Sequence, residues 1–356
     1  MDMSVCTRRR EKLRRKLREE NLDALLVSHA ANRFYLSGFE LHDPQCNESA
    51  GMLLITASGD DWLLTDSRYW DAAKRLWPEN FIHLYSMPKG KDINDFLRDK
   101  TSGVLGFEET GLCYATWHQI GKGLELKPTN GLVEEQRLYK DEVEIAAMRR
   151  ACALNHACCE ALPEILQPGK TEREVAWEIE QFYRNNGASG LSFSTIVGVG
   201  PNAALPHAIP GDTKVRENDL VLVDMGCRLD DYCSDQTRTL WVGDTPSGRF
   251  STTLEIVQEA QRAAIDILRP GLTVSEAYRA ANAVFEKHGR AEYFTHALGH
   301  GIGLETHEPP SLGPTRQFVL KPGMIITIEP GLYYPEWGGI RWEHMLLITE
   351  DGAETL

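Results

Sequence analysis

Apolar residues fall along this chain in short runs that stop at a polar or turn-forming residue, the pattern of strands buried on at least one face. Ala24-Leu25-Leu26-Val27 and Met52-Leu53-Leu54-Ile55 are two such runs in the first third, where they alternate with helical stretches and predict a small α/β domain. Further on, Leu220-Val221-Leu222-Val223 and Thr239-Leu240-Trp241-Val242 predict two strands, with Arg228-Leu229-Asp230-Asp231 as the turn between them. A hairpin symmetric about Leu229 and Asp230 sets Asp224 directly across from Asp235, with Cβ atoms roughly 5 Å apart. Like charges so placed repel, and an ionised carboxylate in an apolar strand carries a further desolvation penalty. A single aspartate in such a place is more often a surface acid. The rest of the chain decides.

It does so through a repeat. Pro168-Gly169-Lys170-Thr171-Glu172-Arg173-Glu174, running on to Gly187, aligns without gaps on Pro270-Gly271-Leu272-Thr273-Val274-Ser275-Glu276, running on to Gly289. Each copy opens a helix with a Thr-x-x-Glu capping box, continues with an amphipathic stretch and stops at a glycine. Each also precedes two acids on a strand pair. In the second copy Glu329 closes the run Met324 to Ile328 and Glu343 opens the run Met345 to Ile348, with a turn around Pro335 and Glu336. A helix-and-hairpin unit used twice, related by a pseudo-twofold, brings four carboxylates to one centre. The fifth candidate ligand is His300, in a Gly-rich segment that also holds His296 and His307; imidazole is a common ligand of divalent metals. His207, in Leu205-Pro206-His207-Ala208, joins provisionally. Four carboxylates balance two divalent ions, and a neutral imidazole leaves the balance undisturbed. Two such ions can activate a bridging hydroxide against a carbonyl or phosphoryl group. The oxygen-rich set favours manganese, cobalt or iron(II), manganese first, with zinc possible.

In order and in their neighbours, Asp224, Asp235, His300, Glu329 and Glu343 resemble the ligand set of the pita-bread metallopeptidases, which include methionine aminopeptidase, aminopeptidase P and prolidase. The resemblance covers essentially the whole chain, since the N-terminal third is similar to the creatinase-like domain that precedes the catalytic domain in aminopeptidase P and prolidase. It implies an α+β architecture: residues 1–133 as a small α/β domain, residues 134–356 as the duplicated pita-bread domain with a curved, mostly antiparallel sheet backed by helices. Asp66-Ser67-Arg68-Tyr69 is similar to a segment of many Xaa-Pro aminopeptidases, which tilts the expectation towards an Xaa-Pro aminopeptidase acting on short peptides with proline second. The alternatives are a prolidase, which cuts Xaa-Pro dipeptides, and a non-catalytic binding module of the same fold.

Carried over by residue, the resemblance implies that a hydroxide bridging the metals attacks the scissile carbonyl, that Glu329 binds metal and shuttles the proton, and that His207 and His307 hold the substrate and stabilise the tetrahedral intermediate. His296 would be a substrate-side histidine, and Arg341 would orient the ligands from behind. It further implies a homodimer. Three residues depart from the family pattern: His344 stands where an acid is common, Trp342 where a smaller residue is, and Ala208 where glycine is.

Bulk properties narrow the remaining classes. A net charge of -14 argues against a nucleic-acid partner, which needs a basic surface. The basic run Arg8 to Leu17 lacks the apolar core of a signal peptide, and the acids among it are wrong for a transit peptide, so it reads as a solvated first helix with Leu13 and Leu17 facing the sheet. No run is long enough to span a membrane. The cysteines (6, 46, 113, 152, 158, 159, 227 and 233) show no zinc or disulfide spacing, Cys158-Cys159 reads as helix interior, and a reducing cytoplasm is the expected compartment.

Overall fold

The computed structural model describes residues 3–43, 45, 48–86 and 88–356, so Cys46 lies outside the described residues. Two compact units divide the chain, Met1–Arg137 and Leu138–Leu356.

The first unit is built on a six-stranded mixed sheet. Its order is Ile82–Leu84, Asp61–Thr65, Gly51–Thr56, Ala24–Val27, Val104–Glu108, Glu125–Thr129. The two central pairings are antiparallel and the outer three parallel. The runs expected as strands are the two at its centre, and Leu25, Leu26, Leu53 and Leu54 are buried. Helix Met3–Glu19 buries Leu13 and Leu17 as expected, but its basic run is not simply solvated. Arg10 and Arg14 both pair with the half-buried Asp61, and Arg9 donates to the Tyr35 carbonyl. The helix therefore packs with part of its charge inside, paired, which the amphipathic pattern alone does not announce. The short helix Glu134–Arg137 is tied to this unit by Asn32, which donates to Glu134 and accepts from Arg137, so the unit ends after residue 137 rather than 133.

In the second unit the repeat is structural. Asp141 caps helix Glu142–Ile165 with a capping box, and that helix holds Cys158 and Cys159. Thr171 and Thr273 then open helices Glu172–Asn185 and Val274–Lys287, each with its own capping box to Glu174 or Glu276. The residues just before them are fixed alike. Gly169 donates to the Val215 carbonyl and Gly271 to that of Leu320, while Glu172 donates to Thr213 and Val274 to Phe318. Both copies stop at a glycine with positive φ, Gly187 and Gly289. Strand Leu220–Met225 lies between Ile196–Val199 and Gln236–Trp241. In the second copy Ile325–Ile328 lies between His300–Gly301 and His344–Ile348, within a five-stranded sheet.

The two hairpins differ in register. In the first, Asp224 faces Thr237 and Arg228 faces Cys233, so the turn is Asp230-Asp231, both with positive φ, rather than one centred on Leu229 and Asp230. Asp235 is consequently not opposite Asp224. It lies two residues from Thr237, a diagonal neighbour of Asp224 on the same face. In the second hairpin Ile328 faces His344 and Gly331 faces Arg341, which leaves Glu329 and Glu343 at facing positions. The turn between Tyr334 and Gly338 contains Pro335 and Glu336, as the sequence suggested.

Candidate metal centre

Both hairpins deliver their acids from the ends of buried strands. At the first, the ladder is interrupted at Gly226, where an added Cβ would sit 2.0 Å from the Ser234 carbonyl oxygen. Only glycine permits that closeness, and it sets the backbone on either side of Asp224 and Asp235. At the second, Glu343 follows strand Gly338–Arg341 and its amide donates to the Thr237 carbonyl across the seam between hairpins, at 3.3 Å.

One oxygen each of Asp235 and Glu343 and one ring nitrogen of His300 lie within 4.8 Å of one another. His300 Nε2 is 3.4 Å from Glu329 Oε1 and 3.6 Å from Asp235 Oδ2. The tautomer follows from the other nitrogen. Nδ1 lies 3.0 Å from the Gly301 carbonyl, an acceptor, so Nδ1 carries the hydrogen. Burial, then His307, push the ring down to about 4, which keeps it neutral near pH 7 with the Nε2 lone pair aimed at carboxylate oxygens. Acceptors facing acceptors need a proton or a cation between them. Asp224 Oδ1 and Glu343 Oε1 are likewise buried without a hydrogen-bond partner among the described residues. Burial, then the charge of Glu343, hold Asp235 and Glu329 well above the usual carboxylate range, and burial, then Asp224, push Glu343 up to about 8. The donors are carboxylate oxygens and one imidazole, a set that fits hard or borderline divalent ions, and the five residues Asp224, Asp235, His300, Glu329 and Glu343 could hold them.

Arg341 organises the back of this cluster. It is 3% exposed and its guanidinium donates to Asp224 Oδ2 at 2.8 Å, Thr237 Oγ1 at 2.9 Å, Tyr333 OH at 2.9 Å and the Pro206 carbonyl at 3.3 Å. Thr237 passes its own hydroxyl hydrogen to Glu343 Oε2 at 2.9 Å. His296 Nδ1 donates to the Ala297 carbonyl at 2.7 Å, so its Nε2 accepts the Tyr333 hydroxyl at 2.8 Å. Both nitrogens of His296 are therefore engaged inside the protein. Sequence reasoning missed Thr237 and Tyr333. The signal for Thr237 was its position two residues after Asp235, on the same strand face; nothing in the sequence singles out Tyr333.

The cluster floors a cavity of about 1220 Å³. His207, His296, His300 and His307 line it, as do Asp224, Asp235, Glu329 and Arg341. The rings of His300 and His307 stand edge to face with centroids 4.4 Å apart, and burial, then the nearby His207, lower His307. Phe193, Ile209, Pro310 and Phe318 make the remaining wall largely apolar, with Arg316 as a cation within it. Of the departures, Ala208 is buried in the cavity wall, Trp342 lies under the Arg238 guanidinium, and burial, then Arg238, push His344 down to about 4.

The model of metallopeptidase family M24 matches residues 146–350. The chain belongs to this family. Residues 9–139 match the Creatinase/Prolidase N-terminal domain, so the two-domain pita-bread architecture expected from the sequence holds, and the protein is a hydrolase of the metallopeptidase class. Among M24 relatives, an Xaa-Pro dipeptidase of Pyrococcus furiosus is 34% identical over 351 residues, which cover 98% of this chain and 97% of the relative. A solved Xaa-Pro dipeptidase from Bacillus anthracis superimposes with a TM-score of 0.91 at 34% identity, covering 98% of this chain and 97% of that one. The prolidase of Pyrococcus horikoshii superimposes at 0.88 with 32% identity and the same coverage. No described helix is long and apolar enough to cross a membrane.

Proposed function

We propose that this M24 peptidase is an Xaa-Pro dipeptidase, the alternative rather than the first of the readings taken from the sequence. What carries this is the whole-length similarity to enzymes named Xaa-Pro dipeptidase, against a short surface segment, Asp66 to Tyr69, on the aminopeptidase side. The site supports it. A dipeptide presents a free carboxylate next to its scissile bond, and Arg316 is a cation in the cavity wall that makes no ion pair among the described residues.

In this reading Asp224, Asp235, His300, Glu329 and Glu343 hold two divalent ions, manganese first. When bound, such ions polarise the scissile carbonyl and lower the pKa of the attacking water. Glu329, the acid nearest the His300 nitrogen and open to the cavity, takes the proton and passes it to the proline nitrogen as the bond breaks. His207 and His307, both on the cavity wall and within reach of each other's charge, hold the carbonyl and the charge it develops. His296 acts through its bond to Tyr333, which steadies Arg341 and so Asp224. The second reading, an aminopeptidase for longer Xaa-Pro peptides, is favoured by a cavity of about 1220 Å³, more than a dipeptide fills.

The deciding experiment compares Xaa-Pro dipeptides with Xaa-Pro-Yaa tripeptides, using chelator-stripped protein and manganese, cobalt or zinc added back singly. Dipeptide cleavage alone is expected. Tripeptide cleavage makes the enzyme an aminopeptidase, and cleavage of neither with any metal makes it a binding module. Arg316→Ala should raise KM for dipeptides about 10- to 100-fold, the worth of a charge-assisted hydrogen bond, with kcat little changed; an unaltered KM removes Arg316 as the carboxylate anchor.

A further inference from the structure

Beside Glu343, outside the cavity lining, lies a cation that no described carboxylate pairs with. The Arg238 guanidinium donates through Nη1 to two backbone carbonyls, Thr237 on the first hairpin at 2.8 Å and Glu343 on the second at 2.6 Å. Its face lies 4.4 Å from the Trp342 ring centroid. Its other end, Nη2, meets His344 Nε2 at 3.1 Å. No described carboxylate comes within ion-pair range of it.

The protonation of His344 follows from its neighbours. Gln261 donates through Nε2 to the carbonyls of Ile328 at 2.9 Å and Trp342 at 3.0 Å, which fixes its amide so that Oε1 faces His344 Nδ1 at 3.1 Å. Oε1 only accepts, so Nδ1 carries the hydrogen, and Nε2 accepts from the arginine, which only donates. A second ring proton would point at the guanidinium. His344 is thus a neutral partner held neutral by geometry. Two further ionisable groups interact with Arg238 besides Glu343: Cys159 donates its thiol hydrogen to Gln236 Oε1 at 2.8 Å, and burial, then Arg238, lower His156, so neither is an anion.

We propose that the charge of Arg238, satisfied by carbonyls, a neutral histidine and an aromatic face, weakens the hold of the adjacent centre on divalent metal. The proposal rests on the reading of Glu343 and its partners as metal ligands. Arg238 also staples Thr237 to Glu343, so the same residue that aligns the ligands repels what they bind. A carboxylate in place of the His344 ring would pair with Nη2 and cancel the repulsion while leaving both carbonyl bonds in place.

The test titrates Mn²⁺ alone into the stripped full-length protein by calorimetry, comparing wild type with His344→Asp and its uncharged control His344→Asn. His344→Glu against His344→Gln forms a second matched pair should the shorter side chains disturb the fold, which circular dichroism reports. Each acid is expected to bind Mn²⁺ about tenfold more tightly than its amide, a modest change for one charge at this range. Equal affinities for acid and amide in both pairs, with wild type still binding Mn²⁺, overturn the proposal. No Mn²⁺ binding by any of the proteins takes down the metal-centre reading and this inference together.

Discussion

Thr237 shows how much of the centre depends on a side chain with no chemistry of its own. Its hydroxyl accepts from Arg341 Nε and donates to Glu343 Oε2, so it links the guanidinium that holds Asp224 to the acid on the other hairpin. Thr237→Val keeps the shape and removes both bonds. Metal affinity should fall about 10- to 100-fold, as for other partners of ligating residues, while Thr237→Ser restores most of it; calorimetric titration of the two variants decides, and equal affinities for valine and wild type would show the link to be idle. His307→Ala, on the cavity wall, should leave metal content intact and lower kcat about 10²- to 10³-fold; loss of metal instead would mean that it does the work assigned to His300. The candidate ligands were legible because carboxylates that end apolar strands are costly and therefore conspicuous. A threonine in a strand is ordinary, so Thr237 stayed invisible until its register was known. Arg238 was hidden for the opposite reason, since an arginine in sequence implies an acid partner and only the structure shows none among the described residues.

At the scale of elements, the duplication was readable because capping boxes and terminal glycines are local signals, and both copies kept them. The first hairpin's register was not, because Arg228 to Asp231, charged at three of four positions, offered several turns and only backbone conformation selects one. Asp230 and Asp231 with φ of 50° and 72° give the twist of a type I′ turn, suited to a tight hairpin. The error changed the partner of Asp224 but not the face it shares with Asp235, because moving the turn by one residue changes the facing position by two. The inference of convergent acids therefore survived a wrong register. Gly226 is the residue on which that hairpin most depends. Gly226→Ala would drive a methyl group into the Ser234 carbonyl, with no flexible side chain to yield. It should cost at least about 2 kcal/mol of stability and loosen metal binding by shifting both aspartates. A denaturation midpoint equal to wild type would show that the two strands can separate there at no cost.

Over the whole molecule, the acids that make the centre useful make the stripped catalytic unit unstable, and pH exposes the conflict. Glu343 is pushed from 4.5 up to about 8, and Asp235 and Glu329 move the same way, chiefly through burial and each other's charge. A carboxylate whose folded pKa is raised contributes stability that is complete below its unfolded pKa and is lost as pH rises through the folded one. The neutral histidines act in the other sense. His296 and His300, lowered from 6.5 to about 4, contribute stability present above 6.5 and lost as pH falls towards 4. Below about 6.5 the two trends oppose; between 6.5 and about 8 the carboxylates act alone. The stripped protein should therefore lose thermal stability steadily across that interval, whereas saturating Mn²⁺, which binds the ionised acids, should raise the melting temperature and flatten or reverse the slope. Calorimetric melts at half-unit steps of pH, with and without the metal, test this directly. A stripped protein whose melting temperature is level from 6.5 to 8 would mean that its acids are already ionised and screened, and the electrostatic case for a cation at the junction of the two hairpins would fall with it.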